Sequence, residues 1–391
     1  MDPVLPEIAA IAPELIALRQ RIHAHPELAF EETVTSDLVA ECLTAWGYQV
    51  HRGLGGTGVV GVLRAGSAGR SIGLRADMDA LPLAENTGLP YASVNPGKMH
   101  ACGHDGHTAM LLCAARHLAR TRAFDGTVNL IFQPAEEGFG GAKAMIDDGL
   151  FERFPCDAVF ALHNMPGIAA GDMAFCVGPM TASSDSVTIR LRGEGGHGAF
   201  PHRACDPMPA AGAIMLALQT IVGRDVDPLD AAVISVGSVH AGEAFNIIPE
   251  QVEMRLSVRT LDANVRQRVE QRIRALVAGQ AQSFGLQADI DYARGYPVLV
   301  NDPQVTAFAT RVAHGLLGEA RVDPQSRPVM GSEDFAYMLE QVPGCYAYIG
   351  NGLGSRGGCM VHNPAYDFND DILALGATFW VRLTETWLTS Q

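Results

Sequence analysis

No stretch of this 391-residue sequence reaches the about 18 uninterrupted apolar residues that suggest a membrane-spanning helix. The opening segment, MDPVLPEIAAIAPELIALRQRIH, carries acids early and lacks a basic region followed by an apolar signal core, so a cytoplasmic location is expected. Basic residues are scarce. Lys and Arg number 28 against 43 Asp and Glu, a net charge of -15, which argues against binding nucleic acid or an anionic membrane. No long biased tract appears, so disorder is not expected. Eight cysteines in so long a chain do not make a disulfide framework. Gly55-Gly56-Thr57-Gly58 lacks the lysine and the following helix of a phosphate loop, and reads as a turn into the strand-like GVVGVL run.

What is present is a composition 48% apolar, with 42 glycines, in a chain longer than one core usually manages. Two domains are therefore expected. Ile8, Ile11, Leu15, Leu18 and Ile22 recur at helical spacing toward His23, and Val34, Leu38, Cys42 and Leu43 mark a second helix ending near Gly47. His23 and His25, near a helix end, read as cap or surface residues. Strands are expected over Ser71 to Ala76, Thr127 to Phe132 and Ala158 to Leu162, with a buried helix over Ala109 to Leu118. Each of those strands ends on polar residues: Asp77 and Asp79, then Glu136-Glu137, then His163-Asn164. Ligand sites of α/β domains lie beyond strand carboxyl ends, so this repeated placement points to one site; solvent-facing acids remain the alternative for Asp77 and Asp79.

From about Ser186 the rhythm changes. A strand over Val187 to Leu191 is followed by a helix over Pro209 to Val222, strands over Ala232 to Val239 and Ile248 to Thr260, a helix over Val265 to Phe284, and a strand over Gln287 to Tyr292. This β-α-β-β-α-β order is ferredoxin-like and fits one inserted domain of about 110 residues. The last third returns to α/β character, with helices over Pro303 to Leu317, Asp334 to Leu339 and Ile372 to Leu388 and a strand over Tyr346 to Gly350. Gly331-Ser332-Glu333-Asp334 reads as a helix cap followed by acids, and Gly352 to Gly358 as a flexible loop with His362 beyond it. The expected domains are 1–185 together with 297–391 as one unit, and 186–296 as a unit inserted into it.

The densest chemistry lies in MHACGHDGH, Met99 to His107. Thiolate, imidazole and carboxylate are the ligand vocabulary of zinc, and histidine with carboxylate also suits manganese, cobalt or nickel. Cys102 and His104, with Glu137, His163 and His362 from elsewhere, could complete two adjacent metal positions, because a thiolate can bridge two cations. Taken singly, each histidine is an ordinary core or surface residue. His100 and His107 are read as supporting residues. In the Glu136-Glu137 pair one carboxylate can ligate while the other handles a water proton, so Glu137 is assigned to metal and Glu136 to the proton; a surface acidic turn is the alternative. His197, between glycines, could reach a developing oxyanion from a lid. Asn246 could bind a substrate carboxylate or carbonyl, or be an ordinary turn residue.

Eight segments, in order, resemble the M20 metallopeptidase family, and within it the branch of hippurate hydrolases, N-acyl-amino-acid deacylases and auxin-conjugate hydrolases. They are IHAHPEL, LRADMDALP, KMHACGHDGHTAML, FQPAEEG, LHN, GGHGAFPH, NIIP and HNPAYDFND, spread over nearly the whole chain. The resemblance implies an α/β two-domain fold, with a metal-binding catalytic domain interrupted by a smaller α+β dimerisation domain. It implies two divalent metal ions, with Cys102 bridging, His104 and His163 toward one and Glu137 and His362 toward the other. It further implies Glu136 as general acid-base, Asp79 as the acid near the metals, and His197 reaching a site from the lid, in some members across a dimer. The expected activity is hydrolysis of the amide in small N-acyl-amino acids by a homodimer, or a homotetramer of paired dimers. Competing expectations are a dipeptidase or small carboxypeptidase on the same centre, or a metal-storing protein without catalysis. Around His240 the sequence SVHAGEAFNIIP departs from the glycine-rich or basic pattern of many relatives, which bears on acyl specificity.

Overall fold

The computed structural model describes residues 3–354 and 357–389. The chain forms two compact units, one of residues 1–178, 300–327 and 334–391 and the other of residues 179–299 and 328–333.

The larger unit is built on an eight-stranded sheet. Ser71–Asp77 pairs in parallel with Gly126–Gln133 on one side and Val159–Pro166 on the other, and Gly344–Gly352 continues the parallel set beside Val159–Pro166. Gly58–Ala65 adds antiparallel to Gly126–Gln133, and Gln49–Leu54 closes that edge. Ser71–Asp77 and Gly344–Gly352 are buried along their whole length. That is the mark of a parallel sheet covered on both faces, and it explains why these runs do not alternate. Helices Pro6–Ala24, His104–Thr121 and Leu373–Thr389 pack on one another. The core they close includes Trp380, Phe132, Phe160 and Leu15.

Three expectations change here. The helix expected from Ala109 begins at His104, because its first turn, HDGHT, is polar yet buried and gives no periodic signal. The helix expected over Asp334 to Leu339 is only Ala336–Leu339, and Asp334 stands outside it, its carboxylate accepting from Arg75, Gln133 and the Ala142 amide. His23 is not a surface or cap residue. It is fully buried, donating from Nδ1 to Asp105 at 2.9 Å, whereas His25 is exposed on the Arg21 carbonyl at the helix end. The loop expected over 352–358 includes residues 355 and 356, which lie outside the described residues.

The smaller unit has the expected β-α-β-β-α-β order. Its four-stranded antiparallel sheet runs Ala232–His240, Gln251–Thr260, Asp185–Arg192, Gln287–Arg294. Along Gln251–Thr260 buried residues alternate with more exposed ones, and Val252, Met254, Leu256 and Val258 share one core with Ile214 and Leu218 of Pro207–Thr220 and Val269 and Ile273 of Ala263–Ser283. Asp206 and Asp262 cap the two helices by accepting amide protons of the first turn. The single strand expected over Ile248 to Thr260 is broken at Pro249, which has no N–H to donate; Ile247–Ile248 pairs instead with Gly196–His197. No helix among the described residues is long and apolar enough to cross a membrane. The architecture is a two-domain α/β fold with a smaller α+β domain, as expected.

Candidate metal centre

The turn before helix His104–Thr121 is pinned at both ends. Met99 exchanges backbone hydrogen bonds with Leu81, and the Ala101 carbonyl accepts the His362 amide at 2.7 Å. Gly103 then turns the chain at φ 89, and a Cβ there would sit 2.3 Å from Asn164 Nδ2 and 2.5 Å from the Tyr366 hydroxyl. Only glycine fits both constraints. The turn faces the ends of Ser71–Asp77 and Gly126–Gln133, and His163 of Val159–Pro166.

The loop after Gly126–Gln133 is held as tightly. Ala135 takes a left-handed φ of 53, with its amide donated to the buried Glu32 carboxylate at 2.9 Å. A Cβ on Gly141 would lie 1.7 Å from the Pro134 carbonyl oxygen, so the loop closes on itself only with glycine there. His362 also holds a positive φ, 62. Left-handed backbone at non-glycine residues is costly, and its recurrence here fits a site whose geometry is imposed by its surroundings.

Five residues from four segments converge. Ligand atoms of Cys102, His104 and His163 lie within 4.8 Å of one another, and so do those of Cys102, Glu137 and His362. Cys102 belongs to both groups. Its Sγ is 3.4 Å from His163 Nε2, and His362 Nε2 is 3.1 Å from Glu137 Oε1. The tautomers suit cation binding. His163 donates its Nδ1 proton to the Asn164 carbonyl at 2.6 Å, and His104 donates Nδ1 to Asp79 Oδ1 at 3.2 Å, so Nε2 is the nitrogen each would offer a cation, which on His104 would displace a proton. His104 Nε2 is buried with no hydrogen-bond partner among the described residues, the condition a metal would relieve. These clustered thiol, imidazole and carboxylate groups fit a binuclear divalent-metal site.

The electrostatics run the same way. Burial raises the Cys102 thiol, and the Glu137 charge adds to it. Burial opposes charge on His104, yet Asp77, Cys102 and Asp79 together hold its pKa well above the ordinary value. Cys102 and Glu137 lift the half-exposed His362 to about 10. His163, buried and beside His107, is held well below the ordinary range. The pocket thus concentrates groups that favour a bound cation.

Glu136 is buried, with a carboxylate oxygen within 4.8 Å of ligand atoms of His104 and Glu137. Asp79 and Asp77 are both buried rather than solvent-facing. Asp79 spans two segments, accepting from His104 and, through Oδ2, from the Glu137 amide at 2.9 Å. Asp77 accepts from Arg75 at 2.7 Å and from His107 Nδ1 at 2.6 Å. Because the Asn164 amide donates to His107 Nε2, both ring nitrogens of His107 are occupied. His100 is buried and carries no hydrogen-bond partner on either ring nitrogen among the described residues, and burial lowers its pKa to about 4. His197 and Asn246 are neighbours within the smaller unit, where Gly198 donates its amide to the Asn246 carbonyl at 2.8 Å; both side chains are exposed.

Sequence reasoning missed the charged support under this centre. Arg19 reaches Asp105, Asp367 and Asp370, and Arg75 joins Asp77 to Asp334. The available signal was positional: Arg19 falls on the apolar helix face of Leu15 and Ile22, and Arg75 lies inside an apolar strand.

Comparison with known proteins agrees with this geometry. The chain is 46% identical over 385 residues to a hippurate hydrolase of Campylobacter jejuni, covering 98% of this chain and 99% of that one. It is 39% identical to an N-acetyl-L-cysteine deacetylase of Bacillus subtilis, over 98% and 90% of the two chains. Among solved structures, the Bacillus subtilis YxeP protein, a dinuclear metal binding peptidase from the M20 family, superposes with a TM-score of 0.85 at 32% identity over 98% and 99% of the chains. Residues 73–386 match peptidase family M20/M25/M40, and with the two relatives matched along almost their whole length the chain belongs to that family.

Proposed function

We propose that the protein is a metal-dependent amidohydrolase that cleaves N-acyl-L-amino acids, of the N-benzoyl or N-acetyl kind, to a carboxylic acid and a free amino acid. The observation that carries this reading is the sharing of Cys102 by two ligand triads beside the buried Glu136, in a chain nearly co-extensive with a hippurate hydrolase. Cys102, common to both groups, would be shared by the two ions, with His104 and His163 available to one and Glu137 and His362 to the other. Zinc, manganese, cobalt and nickel all suit this donor set.

Two divalent ions held there would polarise the amide carbonyl and lower the pKa of a water. Glu136 takes the proton from that water and returns it to the departing amine nitrogen, which would otherwise leave as an unstable anion. Asp79 orients His104 through Nδ1. His197 donates to the tetrahedral oxyanion, and the Asn246 amide binds the substrate carboxylate or carbonyl. The smaller domain serves dimerisation and closure in a cytoplasmic homodimer, or a tetramer of such dimers, acting on a small molecule and binding neither nucleic acid nor membrane.

The test is a substrate panel on protein reconstituted separately with zinc, manganese, cobalt and nickel, with Glu136→Gln alongside. Hydrolysis of N-benzoyl- and N-acetyl-amino acids is expected, falling by about 10²–10⁴-fold in E136Q while metal content is retained. Preference for unblocked dipeptides would transfer the centre to a dipeptidase or small carboxypeptidase. Undiminished hydrolysis in E136Q would remove the proton-transfer role from Glu136, and no hydrolysis of any panel member by the metal-loaded native protein would leave only metal storage.

A further inference from the structure

Two of the five clustered residues come from segments with no covalent reason to stay in register: Cys102 from a turn and His163 from a strand. One side chain joins them. Asn164 is completely buried, and every polar atom it has is used. Its Nδ2 donates to the Cys102 carbonyl at 2.7 Å and to His107 Nε2 at 3.0 Å, and its Oδ1 accepts from the Tyr366 hydroxyl at 2.6 Å. Its backbone carbonyl accepts from His163 Nδ1, and its backbone amide donates to His107 Nε2. His107 is anchored in turn by Asp77, and Asp77 by Arg75. Gly103 lets the turn approach close enough for these bonds.

Resting on the ligand assignment above, we propose that Asn164 is the positioning residue of the metal centre. Its side chain, held by the Asp77–His107 pair and Tyr366, sets the Cys102–His163 separation, and its backbone carbonyl fixes the His163 tautomer, without touching metal or substrate. A hydrogen-bonded shell of this kind fixes ligand orientation, and its loss costs about 10- to 100-fold in metal affinity. The amide is required. A carboxylate in its place would turn an acceptor oxygen toward the Cys102 carbonyl and the His107 lone pair, two acceptors it cannot satisfy.

The experiment reconstitutes native protein, Asn164→Asp, Tyr366→Phe and Asn129→Asp with cobalt, and follows the thiolate-to-cobalt charge-transfer band and cobalt affinity by titration. Asn129 is the control: it is equally buried, but donates to the Pro155 carbonyl and Cys156 Sγ, away from the centre. N164D is expected to lose band intensity and about 10- to 100-fold in affinity, with kcat falling more than KM rises. Y366F should shift the same readings less, and N129D should lower stability with the band intact. A folded N164D with the native band and affinity overturns the proposal. Should N164D fail to fold, Y366F with both readings unchanged overturns it. Absence of the band from native protein would instead overturn the Cys102 assignment itself, so the two failures are distinct.

Discussion

Asp79 joins His104 to the loop that carries the two glutamates: one carboxylate oxygen accepts from the His104 ring at 3.2 Å and the other from the Glu137 amide at 2.9 Å. A helix residue and a loop residue, both proposed above as ligands, therefore share one anchor. Asn at this position keeps the shape but presents an amide nitrogen to one of two donors, His104 Nδ1 or Glu137 N. One contact must break. Asp79→Asn is expected to weaken metal binding by about 10- to 100-fold, and to lower kcat more than it raises KM. Competitive titration against a chromophoric chelator, paired with steady-state kinetics at saturating metal, reads both effects; native affinity in folded D79N would show that Asp79 anchors nothing.

Metal should also stabilise the fold, because its donors come from segments that only folding brings together. A ligand that binds only the native state adds about 2.7 kcal/mol at a concentration 100 times its Kd. The melting temperature should rise on adding zinc or manganese and fall again on adding a chelator. In Cys102→Ser, which replaces the atom common to both triads, the rise should be smaller. An equal rise in C102S, measured by calorimetry, would deny Cys102 a share in both positions.

Much of the fold and most of the clustered residues were legible because strand-end placement leaves a pattern. Asp77, Glu136-Glu137 and His163 follow apolar runs, so their convergence could be inferred before any coordinates. The expected start of helix His104–Thr121, at Ala109, falls five residues late, since a buried polar turn has no hydrophobic period to detect. His23 was misread for a related reason. Periodicity tells which helix face is inward, but not that Asp105 and Glu85 wait there to pair with a histidine on it. Asp334 failed differently: Gly-Ser-Glu-Asp is good local capping chemistry, and a tertiary demand from Arg75 and the Ala142 amide overrode it. Asn164 was visible as a residue of a strand end, while its five bonds are a property of the assembled centre alone.

Packing around the first turn of helix His104–Thr121 gives a contrast between two helical glycines. A Cβ on Gly106 would lie 2.3 Å from the Phe368 ring, and one on Gly376 would lie 2.1 Å from Met110 Sδ. Phe368 is a buried rigid ring, while a methionine tip can swing into another rotamer. Overpacking costs about 1–3 kcal/mol, and replacing a helical glycine by alanine returns about 1 kcal/mol. Gly106→Ala should therefore be net destabilising, and Gly376→Ala closer to neutral. Urea midpoints at constant m settle the order, and G376A proving the more damaging of the two would contradict this account of the core.

The buried His23 predicts an alkaline limb in the stability curve. Burial works against its charged form, but Asp105 at 2.9 Å and Glu85 at 3.3 Å prevail and raise its pKa from 6.5 to about 9. A group whose folded pKa lies above its unfolded value stabilises most when both states are protonated in the ordinary range of the fold. The contribution of His23 is thus fully present below pH 6.5 and fades as pH rises through about 9. His23→Gln keeps a hydrogen-bonding side chain and removes the titration. Native stability, followed by urea unfolding of metal-free protein, should decline across that window relative to H23Q, with the two curves differing by a constant amount below it. Parallel curves throughout would mean that His23 is neutral in the fold, with Arg19 alone compensating Asp105.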